Sequence, residues 1–154
     1  MTEYTLIQIA IGLGVMISLI LTETLGVTAG GIIVPGYIGY NMNNPLDVAL
    51  TFGISILVVL LLKILSYYIL IYGKRRLVFC LLLGFILGSI SKSALPTLIY
   101  SASLIDTDIQ IIGNIIPGLI ASWMDRQGIV KTASVILISG VIINLTLILI
   151  QLFI

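Results

Sequence analysis

The chain has 154 residues, 60% of them hydrophobic and only 8% charged, with a formal net charge of +1 and a mean hydropathy of +1.29. A soluble domain carries roughly 25% charged residues, so a polar shell around one core is excluded, and so is a general basic surface for nucleic acid. There is no histidine and one cysteine, Cys80, which removes His-based metal sites, Ser-His and Cys-His nucleophiles and any internal disulfide.

A bilayer core about 30 Å thick takes roughly 20 helical residues to cross. Met1-Thr2-Glu3 lacks the basic n-region of a secretory signal, and no small-residue cleavage site follows the first apolar run. That run, Tyr4 to Thr22, is expected to be a retained membrane helix. Leu25 to Tyr40 is a shorter apolar stretch containing Pro35-Gly36. After the turn-like Asn41-Met42-Asn43-Asn44 comes a long run, Pro45 to Tyr72, and beyond Lys74-Arg75-Arg76 another, Leu77 to Ser91. Ile109 to Trp123 is again short and contains Pro117-Gly118, and Ile129 to Ile154 is a final long run. Proline removes a backbone donor and breaks a helical ladder. Unpaired backbone at membrane depth is tolerated only inside protein or beside a water-filled cavity. The two Pro-Gly stretches are therefore expected to be broken helices that do not simply face lipid.

These two stretches resemble each other. Gly31-Ile32-Ile33-Val34-Pro35-Gly36-Tyr37-Ile38 aligns with Gly113-Asn114-Ile115-Ile116-Pro117-Gly118-Leu119-Ile120, an offset of 82 residues (117 − 35). Applied throughout, that offset maps Tyr4 to Ile86 and Tyr72 to Ile154, giving an internal repeat over 4–72 and 86–154. Lys74-Arg75-Arg76 and the segment from Asp125 through Arg126 to Lys131 should be cytoplasmic by the positive-inside rule. Three crossings per half place both basic loops on one side, leaving Glu3, Asp47, Asp106 and Asp108 outside, with Lys92 the exception. Re-entrant Pro-Gly loops would separate the basic loops. The expected fold is an all-α integral membrane protein in one transmembrane domain, with about six membrane segments in two inverted three-helix repeats. Such a fold is an architecture of proteins that move solutes.

The Pro-Gly segments are the first candidates for function. Helix ends and freed carbonyls around Gly31, Pro35, Gly36 and Tyr37, and around Gly113, Pro117 and Gly118, either line a conduit or mark a structural centre; the bland alternative is that they only kink packed helices. Glu23, beside Gly26-Val27-Thr28-Ala29-Gly30-Gly31, is either a functional carboxylate near membrane depth or a solvated N-cap of the next segment. Lys63 lies 11 residues before Lys74, about 16 Å along a helix. It either sits within the hydrocarbon or snorkels beside the aromatic Tyr67, Tyr68 and Tyr72. Lys74, Arg75 and Arg76 are topogenic, or meet an anionic polymer or the acidic face of a cytoplasmic partner. Gly84 and Gly88, like Gly26 and Gly30, have the Gly-x-x-x-Gly spacing that lets helices approach closely. No phosphate-binding glycine motif and no acid–base pair is present, so nucleotide chemistry would belong to another chain.

The run from Glu23 to Gly39, Ile71-Tyr72-Gly73-Lys74-Arg75-Arg76, and Gly113 to Ala121 followed by Gln127-Gly128 resemble the PgsC/CapC family across essentially the whole chain. That family is the small membrane subunit of bacterial poly-γ-glutamate capsule synthesis. Asn114 departs from it, standing where the family pattern has an apolar residue. The resemblance implies a multi-pass protein of the bacterial cytoplasmic membrane, non-catalytic by itself. It implies as partners an ATP-dependent, Mur-ligase-like amide ligase (PgsB/CapB) and a membrane-anchored subunit (PgsA/CapA). ATP and its divalent metal are expected on the ligase, with no cofactor here. The expected role is to dock the ligase at cytoplasmic loops carrying Lys74, Arg75, Arg76, Asp125, Arg126 and Lys131, and to supply part of the polymer's exit route, as an oligomer or within a shared bundle. In that route, helix N-terminal ends along the broken segments would favour the polymer's carboxylates. The rivals are a small inverted-repeat transporter or channel for an anionic solute and a purely structural anchor for the ligase.

Overall fold

The structure, a computed structural model, describes residues 3–68, 73–102 and 113–153. Tyr72, Asp106, Asp108, Ile154 and the start of the Ile109–Trp123 run lie outside the described residues. The described elements are all helical: α1 (Glu3–Leu25), α2 (Val34–Tyr40), a 3-10 turn (Asn41–Asn43), α3 (Pro45–Tyr68), α4 (Lys74–Ala102), α5 (Ile116–Gln127) and α6 (Ile129–Phe153).

Three of them, over Thr5–Leu25, Pro45–Tyr68 and Ile129–Leu152, are long and apolar enough to cross a membrane. At most a third of the most apolar stretch of each is buried. Leu60, Ile138, Leu149 and many other large apolar side chains stand outward and exposed. Such continuous apolar surface is a liability in water and the ordinary exterior of a protein in lipid. The remaining long run, Leu77 to Ser91, lies within the unbroken α4.

The Pro-Gly pairs open helices where interruptions were expected. Pro35 occupies the first turn of α2 and Pro117 is the second residue of α5. There the missing N–H costs nothing and the fixed φ is already helical. The non-helical stretch precedes the proline. α1 ends where Gly26, at φ 65°, donates its N–H to the Thr22 carbonyl at 3.0 Å, a left-handed C-terminal cap. Residues 26–33 then run without helix to α2. Gly26 and Gly30 both have left-handed φ values, 65° and 71°. Their Gly-x-x-x-Gly spacing therefore turns a loop and makes no helix-packing face, contrary to the sequence expectation.

The chain forms two compact units, one of residues Met1–Pro45 with Trp123–Ile154 and one of Leu46–Ser122. In the first unit the short α2 is held on two sides by glycines. A Cβ on Gly36 would lie 2.7 Å from the Ala10 carbonyl oxygen, and one on Gly14 would lie 2.5 Å from Gly36 N. On the other side a Cβ on Gly39 would lie 2.6 Å from Ile143 Cγ2. α1 and α6 also meet directly, through Ala10, Ile143 and Leu147 with Leu13 and Ile17 around them. In the second unit α4 and α5 cross in the same manner. A Cβ on Gly118 would lie 2.6 Å from the Cys80 carbonyl oxygen, and one on Gly84 would lie 2.5 Å from Gly118 N.

Side chains at Gly36 or Gly118 therefore collide with backbone, which no rotamer change relieves. Gly36→Ala and Gly118→Ala should each destabilise the protein by about 1–3 kcal/mol, read as a lowered melting temperature in detergent. Gly12, whose Cβ would meet nothing within 4 Å, is the control: alanine there should leave melting unchanged or raise it. Equal melting of Gly36→Ala and Gly12→Ala would show that the close crossing is not formed.

Candidate functional site

The two Pro-Gly crossings match contact for contact. Gly14 meets Gly36 as Gly84 meets Gly118, and Ala10 and Ile11 stand to Gly36 as Cys80 and Leu81 stand to Gly118. The first helices are thus related by 70 residues (84 − 14), while the Pro-Gly segments are related by 82 (118 − 36). Pro35, Gly36, Pro117 and Gly118 are all buried within these crossings.

The loop before α2 is closed by side chains from its own unit. Ser18, buried in α1, donates its hydroxyl to the Gly31 carbonyl at 3.3 Å. Gln127, at the end of α5, pairs with Thr28 through its whole carboxamide. Its oxygen accepts from Thr28 Oγ1 at 2.6 Å and from Thr28 N at 3.2 Å, while its nitrogen donates to the Thr28 carbonyl at 3.2 Å. Gly31, at φ 112°, lies against Trp123, whose Nε1 would be 3.5 Å from a Cβ at that glycine. The Arg126 guanidinium lies 5.7 Å from the centre of the Trp123 ring, within range of a cation–π contact. At the far end of α2, Asn144 of α6 donates to the Gly39 carbonyl at 3.2 Å, one of the orphan acceptors of a helix terminus. Asn41 Nδ2 likewise donates to the Tyr37 carbonyl at 2.9 Å. Tyr37 itself is half-buried.

Before α5, Gly113 is exposed with φ 59° and Asn114 is half-buried. A Cβ on Gly88 of α4 would lie 3.3 Å from the Asn114 carbonyl oxygen. Gly84 and Gly88 thus both face the start of α5, so their spacing serves close packing within the chain.

Other predicted site residues stand apart from these crossings. Glu23 is exposed on the last turn of α1. It does not cap the next helix, because α2 begins eleven residues later (34 − 23) behind Ile33, which makes no side-chain cap. Lys63 is exposed on α3, beside the buried Leu62, in keeping with a snorkelling side chain. Lys74 and Arg75 are exposed in the first turn of α4, Arg76 is half-buried, and Lys131 is exposed near the start of α6. Asp125 is half-buried beside the exposed Arg126. Gly73, Arg76 and Gly128 shape these turns through backbone bonds, with Arg76 N to the Gly73 carbonyl at 3.2 Å and Gly128 N to the Met124 carbonyl at 2.9 Å.

Sequence reasoning missed Gly14, Ser18, Thr28, Trp123 and Asn144. The available signal was the small-x-x-x-small spacing of Gly14 and Ser18, which recurs 70 residues later as Gly84 and Gly88. The single offset of 82 aligned those helices out of step.

Comparison with known proteins bears on what the site serves. The family model described as capsule biosynthesis CapC matches residues 13–133. The chain is 34% identical over 136 residues to the PGA biosynthesis protein CapC of Bacillus subtilis strain 168, covering 87% of this chain and 89% of that protein. It has the same identity and coverage with the capsule biosynthesis protein CapC of Bacillus anthracis. No solved structure matches it. The family model spans most of the chain, including both Pro-Gly pairs, and the chain accordingly belongs to the CapC family of capsule biosynthesis proteins.

Proposed function

We propose that this chain is the membrane subunit of a bacterial poly-γ-glutamate synthase and export complex. It docks a cytoplasmic, ATP-dependent, Mur-ligase-like amide ligase, works beside a membrane-anchored PgsA/CapA-type subunit, and forms part of the polymer's exit route. It carries no chemistry of its own in this reading; ATP and metal belong to the ligase. Membership of the CapC family supports the pathway. The observation that carries the route is the pair of matched crossings, each holding non-helical backbone beside a proline-initiated helix. Backbone of that kind at membrane depth belongs inside protein or beside a wet passage.

The reading includes a duplicated three-helix unit inserted in two opposite directions, with α1, α2 and α3 repeated as α4, α5 and α6. Its first helices are offset by 70 residues and its Pro-Gly segments by 82. Under this repeat each compact unit combines the first two elements of one copy with the third helix of the other: α1 and α2 with α6, and α4 and α5 with α3. The two copies are then interleaved, neither complete without the other. Paired broken helices in such repeats are where transporters hold their substrates. The exposed cations Lys74, Arg75 and Lys131 lie at helix starts, where the macrodipole disfavours them, so an acidic partner surface would relieve that conflict.

Alanine at Pro35 or Pro117 would let α2 or α5 extend backwards and absorb the non-helical stretch. The double variant Pro35→Ala, Pro117→Ala should assemble with the ligase yet secrete at least ten-fold less polymer; wild-type secretion by the assembled variant would overturn the route. Neutralising Lys74, Arg75 and Lys131 together as glutamines should lower ligase recovered with the membrane subunit several-fold on affinity purification, and undiminished recovery would remove the docking role. Single cysteines at Lys74 and Lys131, placed in a Cys80→Ser background, should react with an impermeant maleimide from the same, cytoplasmic face. Labelling from opposite faces would end the inverted repeat.

A further inference from the structure

One difference between the matched crossings points to a ligand. One turn beyond the contact glycine, the first crossing has Ser18, whose hydroxyl closes on the Gly31 carbonyl at 3.3 Å. The equivalent position in the second crossing is Gly88, with no side chain to donate anything. Instead the Asn114 backbone packs against it, its carbonyl oxygen 3.3 Å from where a Cβ of Gly88 would be. Asn114 itself is equivalent to Ile32, 82 residues earlier, an exposed apolar side chain. Packing at this place therefore does not demand an amide. Yet the Asn114 Oδ1 is buried and has no hydrogen-bond partner.

A buried acceptor without a donor forfeits its hydration with nothing in return, and such groups in native proteins call for an explanation. Asn114 is only half-buried, and its neighbour Gly113 is exposed and bare of side chain. A donor approaching from the Gly113 side meets no side chain at that position.

We propose that Asn114 is a binding residue for a polyamide chain, its Oδ1 accepting the N–H of a secondary amide. This rests on the export function proposed above and names one of its contacts. A γ-linked polyglutamate presents one such N–H per residue, whereas its carboxylates only accept hydrogen bonds and cannot satisfy an oxygen. The first crossing, sealed internally by Ser18, offers no equivalent. The two halves of a symmetric fold thereby become unequal toward a polymer that itself has a direction.

The test uses the complete complex with its ligase in polymer-producing cells, with membrane yield and melting temperature measured beside secreted and retained polymer. Asn114→Ile installs the residue of the other crossing and removes the unpaired acceptor. It should melt at or above the wild-type temperature and secrete at least five-fold less polymer, with the shortfall retained in the cell. Asn114→Ala adds no atoms and is read in the same way if isoleucine prevents assembly. Wild-type secretion by an assembled variant would overturn the inference, showing that a water meets this oxygen. Failure of the wild-type complex itself to make or secrete γ-linked polymer would instead sink the proposed function, so the two failures are separable.

Discussion

Everything in this fold depends on pressing the first turn of a short, proline-initiated helix against a long helix with nothing but glycine between them. In lipid no hydrophobic force drives helices together, so association rests on close packing and on hydrogen bonds. Gly14 against Gly36 and Gly84 against Gly118 bring main chain to main chain, with no space for even a methyl group. Once the backbones are that close, each polar group of the intervening stretch needs a partner from the protein. The first segment shows how this is met: Ser18 serves the Gly31 carbonyl, Gln127 serves both backbone groups of Thr28, and Asn144 serves the Gly39 carbonyl. Three polar residues that look incidental in an apolar sequence are the complement of one loop and the short helix it leads into.

The same accounting explains how hydroxyls are carried in the interior of the helices. Thr51 and Ser55 are fully buried on one side of α3, and each donates to a carbonyl one turn back at 2.7 Å. Thr132 does the same toward Gly128 at 2.9 Å. Their protons are spent within their own helices, which leaves the outward surface to Leu and Ile and the inward surface mildly polar.

How much of this was readable beforehand follows from what hydropathy can and cannot carry. Length and apolarity located α1, α3 and α6, because crossing a bilayer constrains both quantities at once. The Pro-Gly pairs marked the second element of each half, because proline and glycine have few alternatives. Faces were not readable. A helix apolar all round has no pattern to say which side packs, so Gly12, which faces open space, and Gly14, which touches α2, look alike in sequence. The Gly26 and Gly30 spacing misled for a related reason: its meaning depends on a helix being present, and here both residues are left-handed. Gln127 was noted only as part of a motif, since its partner Thr28 lies 99 residues away.

The mismatch of offsets says which part of the design is under constraint. From Ser18 to Gly31 the chain runs 13 residues, and from Gly88 to Gly113 it runs 25, so the stretch leading to the second crossing has 12 more. Despite that added length, the contacts at Gly118 repeat those at Gly36 to within 0.1 Å for both the carbonyl and Cα neighbours. A connection that changes while the crossing it leads to does not is the pattern expected when the crossing carries the function and the loop merely delivers it. Beside the crossings the chemistry differs: the Ser18 hydroxyl closes on the Gly31 carbonyl at the first, and the Asn114 backbone packs on Gly88 at the second. The two crossings thus share their geometry and differ in the chemistry beside it.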